Sequence, residues 1–293
     1  MNTVISLALP ATAFMLLVAV GIDLTPEDFA RVRRQPAVVL TGLIAPLILL
    51  PPTALWLTST FETTPDVTTG LLLIASCPIG GISNTYSYLA RASTALSVTL
   101  TGISCLCASL TIPLVSKGIE LVLARPLEIE APVSVLVGQV LLVLALPVGF
   151  GMWARRHSPA LAMRYAPILQ RMAFVGVAIT LLLIVRDDPD AFWTGLSTTV
   201  PLVAAFVLIS MVVGWITAAL ITPDRADRFT IAAEFGTRNV SIAATVAVTF
   251  LGRTEFARVV AAYALTEVPL LLGAVTVFRY WQRRVATPIL SSD

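Results

Sequence analysis

The chain alternates between long runs without a charged residue and short polar connections. Six stretches contain no Asp, Glu, Lys or Arg: 1–22, 35–61, 67–90, 92–116, 131–154 and 191–223. Three further stretches are apolar with few charges: about 168–185, 229–252 and 256–278. An α-helix needs about 20 apolar residues to cross the hydrocarbon core of a bilayer. The pattern therefore predicts an all-α membrane protein with nine transmembrane spans.

Composition agrees with this pattern and excludes several classes of protein. Hydrophobic residues make up 57% of the chain and charged residues 12%. A soluble domain carries about twice that charged fraction, so the surplus apolar surface must face lipid. This argues against a cytosolic enzyme, a nucleic-acid binder and a disordered chain. His157 is the single histidine, which argues against a histidine-built metal site.

Basic residues orient the predicted spans. Thirteen of the nineteen fall in one set of connections together with the C-terminal tail, and five fall on the opposite side. Cytoplasmic loops carry the excess of Lys and Arg in membrane proteins. We therefore expect an N-terminus outside and a C-terminus in the cytoplasm, in the cell (inner) membrane. The remaining basic residue, Arg238, lies inside a span.

Two of the predicted spans are interrupted in the same way. Residues 77–84 in span 3 read CPIGGISN, and residues 234–239 in span 8 read EFGTRN. Each interruption contains Gly, ends in Asn and precedes a helix with a Pro-Leu pair, at Pro113 and Pro269. The distribution of basic residues predicts that span 1 runs from outside to inside and span 6 from inside to outside. We therefore expect spans 1–4 and 6–9 to form an inverted repeat. The expected units are 1–124, with spans 1–4, and 125–293, with spans 5–9.

Interrupted helices in a membrane indicate a binding site when they occur as a matched pair. Lipid cannot satisfy free backbone groups, so unwound backbone persists only where it is buried in protein or lines a polar cavity. A single Gly or Pro is also common as a kink or packing notch. Paired broken helices in two inverted halves are typical of secondary transporters.

Three ionisable residues lie well inside apolar spans, namely Glu234, Arg238 and Glu267. Each costs about 2.5–3.5 kcal/mol at the bilayer centre, so each is expected to be functional or paired. Glu234 is the stronger candidate because it adjoins a break, whereas Glu267 is either functional or a structural partner of Arg238. Ser97 and Thr101 share one helix face. Their hydroxyls either bond back to the preceding turn or join a hard-cation site beside the carboxylate.

These motifs resemble those of the bile acid:sodium symporter family. The similarity is carried by residues 77–84, 88–91, 95–98 and 234–239, more weakly by 21–24, and it follows the whole chain in order. The resemblance implies a core domain, here mainly spans 3, 4, 8 and 9, in which the two broken helices cross. It also implies a panel domain against which the core moves, and a nine-helix form without the first helix of ten-helix bacterial members.

The resemblance also implies the binding residues. One sodium site would be formed by Ser83, Asn84, Ser97, Thr101 and Glu234. A second would keep Glu234 with the backbone of Phe235 and Thr237, but Pro46 and Arg238 replace its two Gln ligands. We therefore expect Arg238 to take the place of a second sodium ion, with pairing to Glu267 as the alternative. The substrate is expected near Gly81, Ile82 and Asn239.

The function expected from sequence is a sodium-coupled symporter that imports an organic anion by alternating access. The resemblance implies a bile-acid-like, pantoate-like or 2-oxo acid substrate, sodium as the coupling ion and the lipid bilayer as the surroundings. The alternative is a proton-coupled or uncoupled carrier of the same fold, in which Glu234 titrates. An intramembrane enzyme is disfavoured, because the spans contain no His, no Asp pair and no HExxH motif. The complete first cation cluster argues against a sensor that does not transport.

Overall fold

A computed structural model describes residues 3–123, 145–187, 189–250 and 253–286. Across these four ranges the chain is almost entirely helical and forms no strand beyond one isolated bridge. The all-α prediction is thereby confirmed. The first half contains α1 (Thr3–Asp23), α2 (Pro26–Arg34), α3 (Pro36–Thr60), α4 (Pro65–Ser76), α5 (Ser83–Leu89) and α6 (Thr94–Leu123). The second half contains α7 (Leu146–His157), α8 (Pro159–Asp187), α9 (Pro189–Ala219), α10 (Arg225–Gly236), α11 (Val240–Thr245), a π-helix (Val246–Phe250) and α12 (Thr254–Ala286).

Apolar helices make this a membrane protein. Within the described ranges, three stretches are long and apolar enough to cross a bilayer: Pro36–Thr60, Thr199–Ala219 and Arg258–Arg284. Shorter apolar helices run over Pro10–Asp23 and Thr94–Ala108. The predicted span 5 (131–154) lies largely outside the described residues, which include only its end in α7. The count of nine spans stays a prediction.

Local sequence accounts for where several helices start and stop. Proline occupies the first turn of α2, α3 and α4, where its missing N–H costs no helical hydrogen bond. The Asp224 carboxylate caps α10 by accepting from the N–H of Ala226 at 2.8 Å. The α4 helix ends at Ser76 because Pro78 disfavours helical geometry at Cys77, which is extended at φ −71° and ψ 153°.

Helices α1, α7 and α8 pack against one another as a three-helix group. Two glycines allow α1 and α7 to approach closely. A Cβ on Gly21 would lie 2.1 Å from the carbonyl oxygen of Val148, and one on Gly151 would lie 2.2 Å from that of Val18. Small residues at helix contacts are the usual route to tight packing in a bilayer, where water does not drive helices together.

The remaining helices surround the two interrupted segments. Helix α9 packs on α3, α10 and α12, while α4 packs on α3 and α12, and α5 packs on α6. Their shared interior contains the large buried side chains of Tyr86, Phe206, Phe235 and Tyr263. The predicted core of spans 3, 4, 8 and 9 stays a prediction, and α3 and α9 also belong to this packing by contact. The breaks are thus held inside protein, where unwound backbone can be satisfied.

Candidate cation and substrate site

The two interruptions meet at a crossover, formed by residues 77–82 between α4 and α5 and residues 237–239 between α10 and α11. Ile79 and Arg238 form an antiparallel bridge. The N–H of Asn239 donates to the Pro78 carbonyl at 2.9 Å, and that of Gly80 donates to the Thr237 carbonyl at 3.4 Å. Each segment therefore satisfies backbone groups that the other leaves free.

Glycine at position 80 permits this approach. A Cβ there would lie 2.8 Å from the carbonyl oxygen of Arg238, closer than real Cβ contacts come. Neighbouring helices fix the crossover further. Ser104 Oγ accepts from the Ile79 N–H at 3.1 Å, while Tyr263 Oη accepts from the Arg238 N–H at 3.0 Å and donates to the Gly236 carbonyl at 2.5 Å.

Sequence reasoning did not identify Ser104 and Tyr263 as part of this site. The available signal for Tyr263 was a hydroxyl inside an apolar span, which needs a partner when buried. Ser104 gave no signal, because the sequence does not distinguish a serine that bonds only to its own helix from one that also bonds to a neighbouring segment. Its hydroxyl does donate to the Thr101 carbonyl at 2.9 Å, while its oxygen also serves Ile79.

Five oxygen-bearing side chains converge beside the crossover, and we call them the oxygen cluster: Ser83, Asn84, Ser97, Thr101 and Glu234. Ser83 Oγ lies 3.2 Å from Thr101 Oγ1 and 3.4 Å from Ser97 Oγ. Ser97 Oγ lies 2.8 Å from Asn84 Oδ1 and contacts Glu234 Oε1. Ligands around a hard cation at 2.3–2.6 Å lie roughly 3.2–3.7 Å apart in octahedral geometry. The two distances from Ser83 fall in that range, whereas Ser97 lies closer to Asn84 and Glu234.

The oxygen cluster has more acceptors than protons. Ser97 has one hydroxyl proton, yet its oxygen faces both Asn84 Oδ1 and Glu234 Oε1. Glu234 is fully buried, and its Oε2 has no hydrogen-bond partner among the described residues. A buried carboxylate with an unpaired oxygen needs a counter-charge. A monovalent hard cation would supply that charge and satisfy the surplus lone pairs.

Arg238 projects from the crossover to the carbonyl ends of two helices. One Nη donates to the backbone carbonyl of Glu234, and the other lies 3.5 Å from the Cys77 carbonyl oxygen. These carbonyls lie at the C-terminal ends of α10 and α4, where the helix dipole gives a partial negative charge. The guanidinium therefore lies where carbonyls would otherwise attract a cation. Phe235 is fully buried, and the Thr237 carbonyl is already taken by the Gly80 N–H.

Glu267 lies nearby without pairing to Arg238. Its side chain is 2% exposed and lies next to Tyr86 and Thr237. Among the residues the structure describes, no acidic oxygen lies within 4 Å of the Arg238 guanidinium nitrogens. The pairing of Arg238 with Glu267 that the sequence left open is therefore not the arrangement observed.

The three expected substrate residues line one cavity at the crossover. Gly81, Ile82 and Asn239 face a space of about 130 Å³, which we call the crossover cavity. Arg238 and Glu267 line it as well, and so does Leu16 of α1, from the three-helix group. The cavity thus lies where the two sets of helices meet.

A second cavity lies on the other side of the crossover. Its volume is about 350 Å³, and α3, α6 and the first interrupted segment form its walls. Pro46 and Arg238 both line it, so the two residues expected to replace amide ligands face one space. Its lining is mostly aliphatic, and neither residue offers a lone pair on its side chain to a cation. In the described ranges, no three His, Cys, Asp or Glu residues converge as a metal site.

Comparison with known proteins agrees with this geometry. Residues 10–193 match the sodium bile acid symporter family. The chain belongs to this family. The match includes the first interrupted segment and ends before α10. This family consists of sodium-dependent transporters and not of enzymes.

Two of the three relatives described next have names that refer to sodium-dependent transport. A probable chloroplastic sodium/metabolite cotransporter, BASS2, of Oryza sativa subsp. japonica is 31% identical over 169 residues, which is 57% of this chain and 38% of that protein. An uncharacterized sodium-dependent transporter, YocS, of Bacillus subtilis is 26% identical over 240 residues, covering 80% of this chain and 71% of the relative. The human P3 protein is 25% identical over 243 residues, which is 83% of this chain and 50% of that protein. The chain thus spans well under two thirds of the rice and human proteins.

Gly80→Ala tests the crossover directly. The new methyl group would meet the Arg238 carbonyl at 2.8 Å, so the two segments must separate, and we expect a loss of about 1–3 kcal/mol in stability. Gly81→Ala is the matched control, since the nearest atom to its Cβ is 3.7 Å away. Thermal melting of the purified proteins in detergent measures both. Equal melting temperatures for the two variants would contradict the close approach.

Proposed function

We propose that the protein is a sodium-coupled symporter that imports an organic anion by alternating access. The observation that carries this proposal is the oxygen cluster around Glu234. Its ligands are oxygens, its formal charge is that of one carboxylate, and Glu234 Oε2 has no partner in the described ranges. Sodium matches an all-oxygen site with one negative charge better than a softer or divalent metal does.

The oxygen cluster and the crossover cavity share one piece of backbone. Ser83 and Asn84 directly follow Gly81 and Ile82, which line the cavity. Glu234 precedes the second interruption, and Asn239 ends it. A cation held between α5, α6 and α10 would fix both ends of the crossover and thereby the cavity wall. Each ligand would then raise the affinity of the other by the same factor.

Alternating access would proceed as a movement between two groups of helices. Leu16 lines the crossover cavity on one side, and the crossover lines it on the other. Displacement of the three-helix group relative to the crossover would open the cavity towards one face of the membrane. Rocking of one unit around a fixed midplane site is the usual scheme for inverted-repeat transporters.

The proposed architecture has nine spans, with spans 1–4 and 6–9 as inverted repeats in units 1–124 and 125–293. The antiparallel bridge between Ile79 and Arg238 supports this relation, because equivalent segments of an inverted repeat meet in opposite directions. The two flanking hydrogen bonds, from Asn239 to Pro78 and from Gly80 to Thr237, are nearly symmetric about that bridge. In this proposal the protein lies in the cell membrane with its N-terminus outside and its C-terminus in the cytoplasm, the orientation that the distribution of basic residues favours.

We also propose that Arg238 acts as a fixed substitute for a second cation. Its guanidinium contacts the carbonyl of Glu234 and approaches that of Cys77, so it already occupies the electronegative ends of both broken helices. Arginine remains protonated and presents donors only. A sodium ion at the same place would be repelled and would lose its ligands.

Substitution of the oxygen cluster should remove the sodium response. Sodium that binds only the folded state stabilises it, by about 2.7 kcal/mol at a hundredfold excess over the dissociation constant. We expect purified wild-type protein to melt higher in sodium than in potassium, and Glu234→Gln or Ser97→Ala with Thr101→Val to lose this difference. Glu255→Gln and Ser210→Ala are matched controls: Glu255 is an exposed carboxylate, and the buried Ser210 hydroxyl has no hydrogen-bond partner among the described residues.

The same melting experiment distinguishes a sodium-coupled symporter from the alternative, a proton-coupled carrier of the same fold. A proton-coupled protein would show stabilisation that depends on pH and on Glu234 but is equal in sodium and potassium. If Glu234→Gln responds to sodium as the wild type does, the cation binds elsewhere.

The orientation can be tested by labelling single cysteines. In a variant whose native cysteines are replaced by alanine, Asp188→Cys should react with an impermeant thiol reagent in whole cells, and Ala160→Cys should not. The reason is that the loop around 186–190 belongs to the side with few basic residues, whereas 155–167 belongs to the arginine-rich side. Labelling at 160 and none at 188 would reverse the topology.

Sodium stoichiometry tests the role of Arg238. Transport in proteoliposomes should show a Hill coefficient for sodium near one, since one cation site remains. Arg238→Gln with Pro46→Gln should raise it, because two amide ligands are restored on one cavity. Arg238→Lys keeps the charge and should behave as wild type. A reversal potential corresponding to two sodium ions per substrate in the unmodified protein would contradict the substitution.

A further inference from the structure

The crossover cavity is lined by charges of both signs. Arg238 and Glu267 face it from different elements, and each is 2% exposed. They do not neutralise each other through contact, since no ion pair joins them within the described ranges. The rest of the lining is largely backbone and small aliphatic side chains, such as Gly80, Gly81 and Val240. A ligand in this space therefore meets a guanidinium group at one position and a carboxyl group at another.

Three polar atoms of the cavity residues have no hydrogen-bond partner in the described part of the chain. They are the donors Arg238 Nε and Asn239 Nδ2 and the acceptor Glu267 Oε1. An unpaired buried polar atom destabilises the folded protein, and an unpaired charged group does so more strongly. The two donors are adjacent in sequence on the crossover, whereas the acceptor comes from α12. Such orphaned atoms around one cavity are the complement of a ligand.

We propose that the substrate of this site is a small zwitterion with a carboxylate and a protonated amine, an inference that rests on the proposed transport function. The carboxylate accepts from Arg238 Nε and Asn239 Nδ2, and the ammonium donates to Glu267 Oε1. A short aliphatic spacer lies against Gly81 and Ile82. The anionic group of the proposed organic anion is thus retained, and Glu267 adds the requirement for a positive group.

Charge balance favours the zwitterion over a simple anion. With sodium at Glu234 and with Glu267 ionised, the charges of sodium, Glu234, Arg238 and Glu267 sum to zero. A simple carboxylate would then bring one uncompensated negative charge into the protein interior, which is costly unless Glu267 takes up a proton. A zwitterion leaves the sum at zero and pairs each buried charge with its opposite.

The size of the cavity sets the size of this ligand. About 130 Å³ is well below the 300–1,000 Å³ of pockets that hold drug-sized molecules. This volume favours an amino acid of a few carbons over a steroid skeleton.

The test compares small acids that differ only by an amino group. Glycine, β-alanine and γ-aminobutyrate are paired with acetate, propionate and butyrate, and thermal stabilisation of the purified protein is titrated in saturating sodium chloride. We expect at least one zwitterion to bind about tenfold more tightly than its deaminated partner, the size of one charge-assisted hydrogen bond. Glu267→Gln should lose this preference while it keeps the sodium response, and Glu255→Gln, on the same helix but outside the cavity, should keep both.

Asn239→Asp provides a second variant. It keeps the side-chain oxygen that accepts from the Ile242 N–H at 3.1 Å, and it removes the amide donor. It should therefore weaken zwitterions and simple acids alike, unlike Glu267→Gln.

Two results would overturn the zwitterion. One is wild-type protein that binds the simple acids as tightly as their amino partners, or responds to no zwitterion. The other is Glu267→Gln protein with an unchanged preference. If sodium stabilisation persists in either case, only the substrate assignment fails, whereas loss of the sodium response in the wild type contradicts the transport proposal itself.

Discussion

Hydrogen bonding between two unwound backbone segments is the constraint on which the rest of this structure depends. A bilayer offers no partner for free N–H and C=O groups, so a helix can be broken inside it only where protein supplies them. Here the two breaks supply each other, through the Ile79–Arg238 bridge and the bonds from Asn239 to Pro78 and from Gly80 to Thr237. Gly80 makes the approach possible. The oxygen cluster, Arg238 and the crossover cavity all lie beside this contact.

The crossover places different chemistry on its different sides. The oxygen cluster lies beside the helix starts that carry Ser83 and Asn84, where Glu234 adds one negative charge. Arg238 satisfies the carbonyl ends of α4 and α10, and the crossover cavity lies between this backbone and Leu16 of α1. Because these features share a few residues of backbone, occupation of one can alter the geometry of the others. The proposed coupling between sodium and substrate binding would act through this shared backbone.

Much of this arrangement follows from sequence, and some of it does not. The runs without charge, the paired interruptions and the isolated Glu234 predict helices, two broken spans and a cation site, because free backbone groups and charges are costly inside a membrane. The crossing of the two breaks is implied by the family resemblance. The direction of the Arg238 side chain could not be predicted, since pairing with Glu267 and contact with helix carbonyls are both ways to satisfy a buried guanidinium. The roles of Tyr263 and Ser104 could not be predicted for a related reason. Each depends on which backbone atom lies within hydrogen-bond distance of the hydroxyl, and helix packing determines this. The size of the crossover cavity likewise depends on how closely α1 approaches.

Equilibrium binding of radioactive sodium to the purified protein tests the central claim most directly. It measures occupation of the cation site without substrate, transport or a change in stability. The account predicts saturable binding of one sodium ion per chain, lost in Glu234→Gln and retained in Glu255→Gln. Binding of two ions per chain, or binding that Glu234→Gln leaves intact, would contradict a single cation site at the oxygen cluster with Arg238 in place of a second.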